Sequence, residues 1–437
     1  MILCYDIPTK EVVVMTFAIH SFGCKVNIYE SEYIINIMEE HGYKMVSEKE
    51  DADIYIINTC TVTNEADKKS RQLIHTTRKN HPNSLLIVMG CYAQIKPNEI
   101  DADIVIGNKY KSKIIDLIEE YQKDKIPIIR IEDISTTNFE DMYINRFITH
   151  TRAFVKIQDG CNAFCTYCII PYARGGLRSK RPELVIKEVT DLVNKGYNEI
   201  VLTGIHTGRY GRELNTNLEE LLRELVKIKG IYRIRLSSIE MNEVTDGIID
   251  LYKNNKIMAR HLHIPIQSGC DEILEQMGRK YKVQAFLDKI EKIRNELDDI
   301  SITTDLIVGF PGETEEYFNK TIETLKKIKF TKIHTFPYSR RDGTVAAKMK
   351  NQVDGNIKKC RVRKILALSE KYEQEFYQNR IGKVYDGLVE TKKDGTKTIL
   401  TSNYLQINID EDLENNELVT AQIESVQDGV IKGKIIK

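Results

Sequence analysis

The sequence predicts an α/β protein in three parts: an N-terminal open parallel α/β domain, a partial (β/α)6 barrel and a small all-β barrel. Two observations support this prediction. Short β-branched runs alternate with amphipathic helical patterns through most of the chain, which is typical of parallel sheets covered by helices. From Ile381 onward, short alternating runs are separated by Gly and Asn-Asn turns, as in a small antiparallel barrel.

The first domain is predicted over residues 15–130. Its strands are the runs at 17–22, 53–58, 85–89 and 103–106, with helices over 28–41 and 64–80. Strands that alternate with helices favour a parallel sheet covered on both faces. The polar stretch 132–145 that follows is predicted to be a linker.

The same alternation restarts and defines a second domain over residues 146–337. Six strands are predicted, at 153–158, 199–203, 233–237, 261–266, 302–308 and 332–336. Pro182 begins one of the intervening helical patterns, a position that proline favours. Six consecutive βα units indicate a partial barrel, because a complete one has eight.

The last hundred residues divide into two regions of opposite charge. Residues 338–380 form a basic helical connector, with eleven Lys or Arg and five Asp or Glu from Pro337 to Arg380, and a long helix is predicted over 357–379. The small barrel over 381–437 has seven Lys and ten acidic residues. A net negative charge disfavours binding of nucleic acid, so any such contact is expected to use one face of this barrel or to be shared with the connector.

Composition narrows the class of protein. The 437 residues include 64 basic and 64 acidic ones, so the whole chain has no overall attraction for nucleic acid, and any such binding requires a local patch. No apolar run approaches the ~18 residues of a membrane span, and the N-terminus lacks a basic-then-apolar signal pattern. We expect a cytoplasmic protein without membrane association. Nine cysteines in such a chain favour ligands over disulfides.

Cys161, Cys165 and Cys168 stand close together after the first predicted barrel strand. Thiolates hold iron–sulfur clusters, and close spacing lets one loop wrap one cluster. Three local thiolates leave one iron of a four-iron cluster open, and an open coordination site is what a catalytic metal needs. This spacing is typical of radical-SAM enzymes, in which that iron binds S-adenosylmethionine and an electron from the cluster cleaves it. A zinc site or unrelated buried cysteines are the alternatives.

Three further cysteines follow predicted strands of the first domain: Cys24, Cys60 and Cys91. The carboxyl ends of parallel strands share one edge of a sheet, where ligands bind, so these distant residues are predicted to converge on a second three-thiolate site. The alternative is that they cap strands as small buried hydrophobes. Cys4, Cys270 and Cys360 lack such neighbours and are expected to be inert.

These motifs together resemble the methylthiotransferase family of radical-SAM enzymes. The resemblance rests on Gly23-Cys24-Lys25-Val26-Asn27, on residues 58–64 around Cys60, on Gly90-Cys91 and on the Cys161/Cys165/Cys168 loop. It implies a C-terminal barrel of the TRAM type, two 4Fe-4S clusters, and S-adenosylmethionine as both methyl donor and radical source. Residues 23–27, 60–64 and 202–208 most resemble the branch that acts on N6-threonylcarbamoyladenosine 37 of tRNA. The isopentenyladenosine-tRNA and ribosomal-protein aspartate branches are the nearest rivals.

Further cofactor contacts are expected at the ends of the barrel strands, where barrel enzymes place their sites. Gly204 permits close backbone approach to a ligand, and the resemblance implies that this strand end meets the methionine part of S-adenosylmethionine. The complete set of candidates is Gly204, His206, Ser238, Glu240, Gln267, Gly309 and Glu313. His261 and His263 share one face of a strand and are interpreted as satisfied interior groups in preference to ligands.

The predicted partner is the anticodon loop of tRNA, whose unstacked bases are accessible. Its phosphates are expected to contact the cations of the connector, which are Arg340, Arg341, Lys348, Lys350, Lys358, Lys359, Arg361, Arg363 and Lys364. The chemistry also requires an electron donor of the flavodoxin or ferredoxin type and a sulfur donor. The expected reaction inserts sulfur and a methyl group at C2 of the adenosine. An RNA-binding iron–sulfur sensor without turnover is the rival from another class.

Overall fold

The computed structural model describes residues 14–136, 138–148 and 150–436. Residues 1–13, which include Cys4, lie outside these ranges. None of the helices in the described part of the chain combines the length and the apolar character of a membrane span.

The first part of the chain is a six-stranded, wholly parallel sheet with the order β2-β1-β3-β4-β5-β6. Its strands are β1 (Thr16–Ser21), β2 (Lys44–Met45), β3 (Ile54–Thr59), β4 (Leu85–Gly90), β5 (Ile104–Ile106) and β6 (Ile128–Arg130), and its helices are α1 (Lys25–Glu40), α2 (Asn64–Asn80), α3 (Cys91–Ile95) and α4 (Ile114–Asp124). The two edge strands β2 and β6 were not predicted, because runs of two and three residues show no periodicity. The central strands β3 and β4 are buried along their whole length, as expected of a sheet covered on both faces.

The second part is the partial barrel. Two short pairing strands and six parallel barrel strands alternate with helices, in the order β7 (Ala153–Lys156), β8 (Gln158–Asp159), α5 (Ile170–Arg174), β9 (Arg178–Ser179), α6 (Pro182–Asn194), β10 (Glu199–Thr203), α7 (Leu218–Leu225), β11 (Arg233–Leu236), α8 (Asp246–Asn254), β12 (His261–His263), α9 (Asp271–Gln276), α10 (Val283–Glu296), β13 (Ser301–Val308), α11 (Glu315–Ile328) and β14 (Lys332–Pro337). The strands β7, β10 and β11 form one parallel sheet, and β12, β13 and β14 form another. A parallel bridge from Ile234 to Met258 continues the array beyond β11, so the carboxyl ends of the six barrel strands open in one direction.

The polar stretch predicted to be a linker is anchored at its end. Met142 and Ile144 are buried. The Tyr29 hydroxyl of α1 donates a hydrogen bond to the carbonyl of Met142 at 2.8 Å, and the backbone N–H of Ile144 donates to Glu188 of α6 at 3.1 Å. This stretch therefore joins the first sheet to the barrel.

The C-terminal part consists of one long helix and a closed barrel. The helix α12 (Gly355–Gln378) packs against β14. The barrel strands are β15 (Val384–Thr391), β16 (Lys397–Thr401), β17 (Gln406–Asn408), β18 (Leu418–Gln427) and β19 (Val430–Ile435). Four of the five pairings are antiparallel, and the parallel pair of β17 with β19 closes the barrel.

Candidate active site at the domain interface

The three cysteines of the first domain lie at neighbouring strand ends. Cys24 caps the N-terminus of α1, Cys60 follows β3 and Cys91 begins α3 directly after β4. Gly23 has a φ of +100°, and a Cβ on it would lie 2.9 Å from the Cβ of Cys60. Only glycine brings the Cys24 loop this close to Cys60. The topology therefore brings these residues together as the strand order predicts.

The environment of these thiols suits a bound metal cluster. Burial raises the pKa of Cys24, and burial together with Cys91 raises the pKa of Cys60 to about 12. Bare thiolates are therefore unfavourable here, whereas iron ligation supplies the positive charge that keeps a thiolate deprotonated. In the described ranges, no three His, Cys, Asp or Glu side chains are arranged to hold a single metal ion. A four-iron cluster requires a wider arrangement, because each thiolate binds a different iron.

The loop with Cys161, Cys165 and Cys168 runs from β8 to α5. Its fold is set by two backbone hydrogen bonds, from Cys161 N–H to the Gly175 carbonyl at 3.0 Å and from Cys168 N–H to the Cys165 carbonyl at 2.9 Å. Burial is the main cause that raises the pKa of Cys168 to about 12, and the other two cysteines add to it. The three thiols are thus near enough for Cys161 and Cys165 to act on Cys168, as ligands of a single cluster must be.

Charged side chains support two of these sulfurs. His206 lies between Cys161 and Glu243, with its Nδ1 3.2 Å from the Cys161 sulfur and its Nε2 2.8 Å from the Glu243 carboxylate. Arg279 donates to the Cys165 sulfur at 3.5 Å and pairs with Glu240. Hydrogen bonds to sulfur tune the reduction potential of a cluster. His206 contacts a sulfur directly and Glu240 acts through Arg279, so both are placed to tune a cluster that this loop would hold.

A cavity of ≈ 770 Å³ lies where the three parts of the protein meet. Cys24 and Lys25 line it from the first domain, Gly204 and Ser238 from the strand ends of the barrel, and Tyr404 from the C-terminal barrel. Two residues beyond Gly204, His206 contacts Cys161. Cys24 therefore borders the cavity directly, and the strand end that carries Gly204 leads on to the contact with Cys161. Its volume is in the range of small-molecule sites.

The other predicted cofactor contacts lie outside the described lining of this cavity. Gln267 adopts a φ of +61° and donates its N–H to the Asp305 carbonyl at 2.9 Å. The Glu313 carboxylate accepts from Gly309 N–H at 2.5 Å and from Arg361 at 2.7 Å. Glu313 is thus engaged in holding the loop after β13 against α12.

Both histidines of β12 line the cavity. His261 contacts the Thr303 hydroxyl at 3.0 Å and its ring lies 4.6 Å from that of Tyr404. His263 contacts the same hydroxyl at 2.9 Å. Both histidines are hydrogen-bonded, in agreement with their interpretation as satisfied interior groups, and both also form part of the cavity wall.

Two cations of the connector are structural. Arg341 is buried and pairs with Asp67 of α2 at 2.7 Å, and Arg361 is buried against Glu313. Lys364 pairs with Glu315, and Lys358 donates to the Tyr338 carbonyl at 3.2 Å. The expectation that all nine cations face RNA is therefore wrong for Arg341 and Arg361, because buried carboxylates neutralise both.

Sequence reasoning missed the residues that link the two cysteine groups. Arg174 of α5 is fully buried and donates to the Cys91 sulfur at 3.3 Å, to Glu30 at 2.8 Å and to Asp159 at 3.2 Å. Glu243 and Arg279 were missed as well. Their partners are distant in sequence, so no local spacing identifies them.

Comparisons with known proteins agree with this geometry. Residues 16–125 match the "Uncharacterized protein family UPF0004" and residues 155–325 match the "Radical SAM superfamily". The chain is 44% identical over 404 residues to the "Threonylcarbamoyladenosine tRNA methylthiotransferase MtaB" of Bacillus subtilis (strain 168), covering 90% of each chain. It is 36% identical to the "tRNA-2-methylthio-N(6)-dimethylallyladenosine synthase" of Thermoanaerobacter sp. (strain X514), covering 87% of this chain and 84% of that protein.

Solved structures share the fold at low identity. The radical S-adenosylmethionine methyltransferase TsrM from Kitasatospora setae, with cobalamin and a [4Fe-4S] cluster bound, superposes with a TM-score of 0.54 at 13% identity, covering 76% of this chain and 77% of that one. At this identity the likeness concerns the fold alone. The sequence relatives carry the assignment further: the chain belongs to the radical-SAM methylthiotransferase family and resembles its threonylcarbamoyladenosine-tRNA branch.

Proposed function

We propose that this protein inserts sulfur and a methyl group at C2 of N6-threonylcarbamoyladenosine 37 in tRNA, using two 4Fe-4S clusters. The cavity that Cys24 and Gly204 line carries the proposal. Gly204 lies two residues before His206, which contacts Cys161. A base in this cavity would lie within reach of both groups, and the high identity to proteins named for this activity supports the same assignment.

The protein's own residues divide the work between two sites. The cluster that binds and reductively cleaves S-adenosylmethionine would be held by Cys161, Cys165 and Cys168. The cluster that presents sulfur would be held by Cys24, Cys60 and Cys91. When bound, the clusters and S-adenosylmethionine supply the radical and sulfur-transfer chemistry. Arg279 and His206 fix the first set of thiolates through contacts to sulfur. Arg174 and Asn108 do the same for Cys91. The domain interface encloses the reacting base and excludes water from it.

The substrate RNA would approach from the open face between the first domain and the C-terminal barrel. Nucleotide 37 of the tRNA lies in a loop, where a base is unstacked more readily than within a duplex. Less energy is therefore needed to move this base into the cavity. The reaction also needs a reductant of the flavodoxin or ferredoxin type and a sulfur donor, which we propose as protein partners.

The test is mass spectrometry of tRNA nucleosides from a strain without the gene, with complementation. We expect loss of the 2-methylthio form of threonylcarbamoyladenosine and accumulation of its precursor. Loss of the isopentenyladenosine derivative, or of the modification on a ribosomal-protein aspartate, would assign the chain to a rival branch. Failure of reduced protein to form 5′-deoxyadenosine would favour a sensor.

A further inference from the structure

Lys25 lines the cavity and has no polar partner among the residues that the structure describes. The other charged lining residues have partners: Asp305 lies 3.3 Å from His263, Lys332 pairs with Glu373 at 2.9 Å, and Lys392 donates to the neutral amide of Asn408 at 3.0 Å. Lys25 is half-buried and, among the residues the structure describes, has neither an ion pair nor a hydrogen-bond acceptor for its ammonium group. A shielded cation of this kind is satisfied by an anionic ligand.

A group of arginines lies behind the part of the cavity that Tyr404 lines. Lys25 and Tyr404 line the same cavity, and Arg235 and Arg152 lie 4.6 and 5.9 Å from the centre of the Tyr404 ring. In this group, three arginines share two glutamates: Arg152, Arg233 and Arg235 pair with Glu199 and Glu390. The local excess of positive charge adds to that of Lys25 and favours an anion.

Tyr404 is held in an unusual conformation beside this cation. Its φ is +67°, a left-handed value that is uncommon for a residue with an aromatic side chain. Its ring is fixed between the guanidinium of Arg235, 4.6 Å from the ring centre, and the ring of His261. Backbone strain of this kind persists where the surroundings fix it, and it concentrates at ligand sites. The C-terminal barrel thus contributes a rigid aromatic surface next to Lys25.

We propose that Lys25 binds the threonyl carboxylate of the modified adenosine and selects this nucleoside against those with an uncharged group on N6. The inference rests on the proposed function and adds the residue that sets its specificity. In adenine, C2 and the N6 substituent lie on the same edge, separated by N1. Cys24, proposed to present sulfur to C2, and Lys25, proposed to bind the arm on N6, are consecutive residues that line one cavity.

The proposal predicts discrimination between substrates. A hydrogen-bonded charge pair contributes about 1.5–3 kcal/mol, which corresponds to a preference of roughly 10- to 100-fold. An apolar N6 group would leave the ammonium of Lys25 shielded and unpaired, which disfavours that substrate further. A phosphate of the RNA backbone is the other possible anion, and it would be present in every substrate.

The experiment measures binding of the full-length reconstituted protein to anticodon stem-loop RNAs that differ only at position 37. One RNA carries threonylcarbamoyladenosine, one carries unmodified adenosine and one carries isopentenyladenosine. We expect wild type to prefer the first by about 10- to 100-fold and Lys25→Met to bind all three alike. Lys25→Arg, which keeps the charge, should retain part of the preference. Lys49→Met, at an exposed lysine of the first domain that does not line the cavity, serves as the control and should keep the wild-type preference.

Three outcomes would overturn the inference. Equal weakening toward all three RNAs would assign Lys25 to a phosphate. Loss of RNA-independent 5′-deoxyadenosine formation or of iron in Lys25→Met would assign it to the cofactors. An unchanged preference would show that another group reads the carboxylate. The proposed function is tested separately, because it fails only if wild-type protein does not methylthiolate the threonylcarbamoylated RNA.

Discussion

Arg174 contacts residues of both domains at the proposed active site. Its guanidinium touches Cys91, Asn27 and Glu30 of the first domain and Asp159 of the barrel. The neighbouring carboxylates and Cys91 hold the pKa of Arg174 well above its usual range against the effect of burial. A permanent positive charge beside a cluster sulfur stabilises the more negative, reduced state.

Replacing Arg174 by Gln should lower the reduction potential of the N-terminal cluster. Redox titration followed by EPR, in a protein whose Cys161, Cys165 and Cys168 are Ala, measures that cluster alone. The change also removes one of several cationic partners of Glu30 and Asp159, which keep Lys111, Lys156 and Arg178, so stability should fall by about 1–3 kcal/mol. Arg174→Lys keeps a charge and is the control. An unchanged potential in a folded, iron-loaded Arg174→Gln protein would contradict this role.

The cysteines were predictable and Arg174 was not, for a physical reason. Local spacing and the convergence of parallel strand ends point to all six candidate thiols. Arg174 meets Cys91, 83 residues away, and Glu30, 144 residues away, only because the two domains dock. Neither spacing nor periodicity encodes that docking.

At the scale of elements, α12 has two faces with different tasks. Its buried residues are Arg361, Ile365, Ser369 and Tyr372, which recur at helical spacing and face the barrel. A count of charge along the sequence does not distinguish between the cations of the connector. The helical repeat of α12, however, places its cations on different faces of the helix. The exposed cations without an ion pair in the described chain include Lys359 and Arg363 of α12 and, in the segment before this helix, Lys348 and Lys350.

Replacing Lys348, Lys350, Lys359 and Arg363 by Gln should weaken tRNA binding and flatten its salt dependence. Each lost phosphate contact lowers the log–log slope by roughly 0.7–0.9. Binding isotherms at several salt concentrations measure this. The matched control replaces four exposed lysines of the first domain, Lys44, Lys49, Lys79 and Lys123, and should leave the slope near that of wild type. Equal slopes for both variants would show that the connector, including the exposed face of α12, does not contact phosphates.

At the scale of the whole molecule, Glu199 links the partial barrel to the C-terminal barrel. It is fully buried and pairs with Arg235 at 2.7 Å and Arg233 at 3.0 Å. Those arginines donate to the carbonyls of Leu400 and Thr401 at 2.9 and 3.1 Å. Burial alone would raise the pKa of Glu199, but Arg235, Arg152 and Arg233 outweigh it and bring the pKa to about 2.

Replacing Glu199 by Gln should destabilise the protein by about 3–5 kcal/mol, because it leaves buried arginines uncompensated. The depressed pKa means that the stabilisation is fully present above the ordinary value of 4.5 and is lost as the pH falls toward 2. The difference between wild type and variant should therefore shrink over that range in denaturant unfolding. Glu224→Gln, at an exposed pair with Lys227, should cost at most about 1 kcal/mol. A difference that persists at low pH would contradict the assignment.

The three-part architecture followed from patterns in the sequence, whereas the arrangement of the parts did not. The strand and helix periods are local, so β10 and α2 were predicted with their observed bounds. The cavity depends on contacts such as Arg233 with Leu400, which span 167 residues. Lys25 was visible in the cysteine motif, but its lack of a counter-charge appears only when the three parts meet.

The central claim is that the two groups of cysteines have different tasks, and one pair of variants tests it most directly. Reduced protein with Cys24, Cys60 and Cys91 replaced by Ala should still form 5′-deoxyadenosine and should yield no methylthiolated tRNA. The variant lacking Cys161, Cys165 and Cys168 should form neither, and each variant should bind about four irons where wild type binds about eight. Circular dichroism first establishes that both retain native helix content. Methylthiolated tRNA from the well-folded Cys24/Cys60/Cys91 variant would contradict the account.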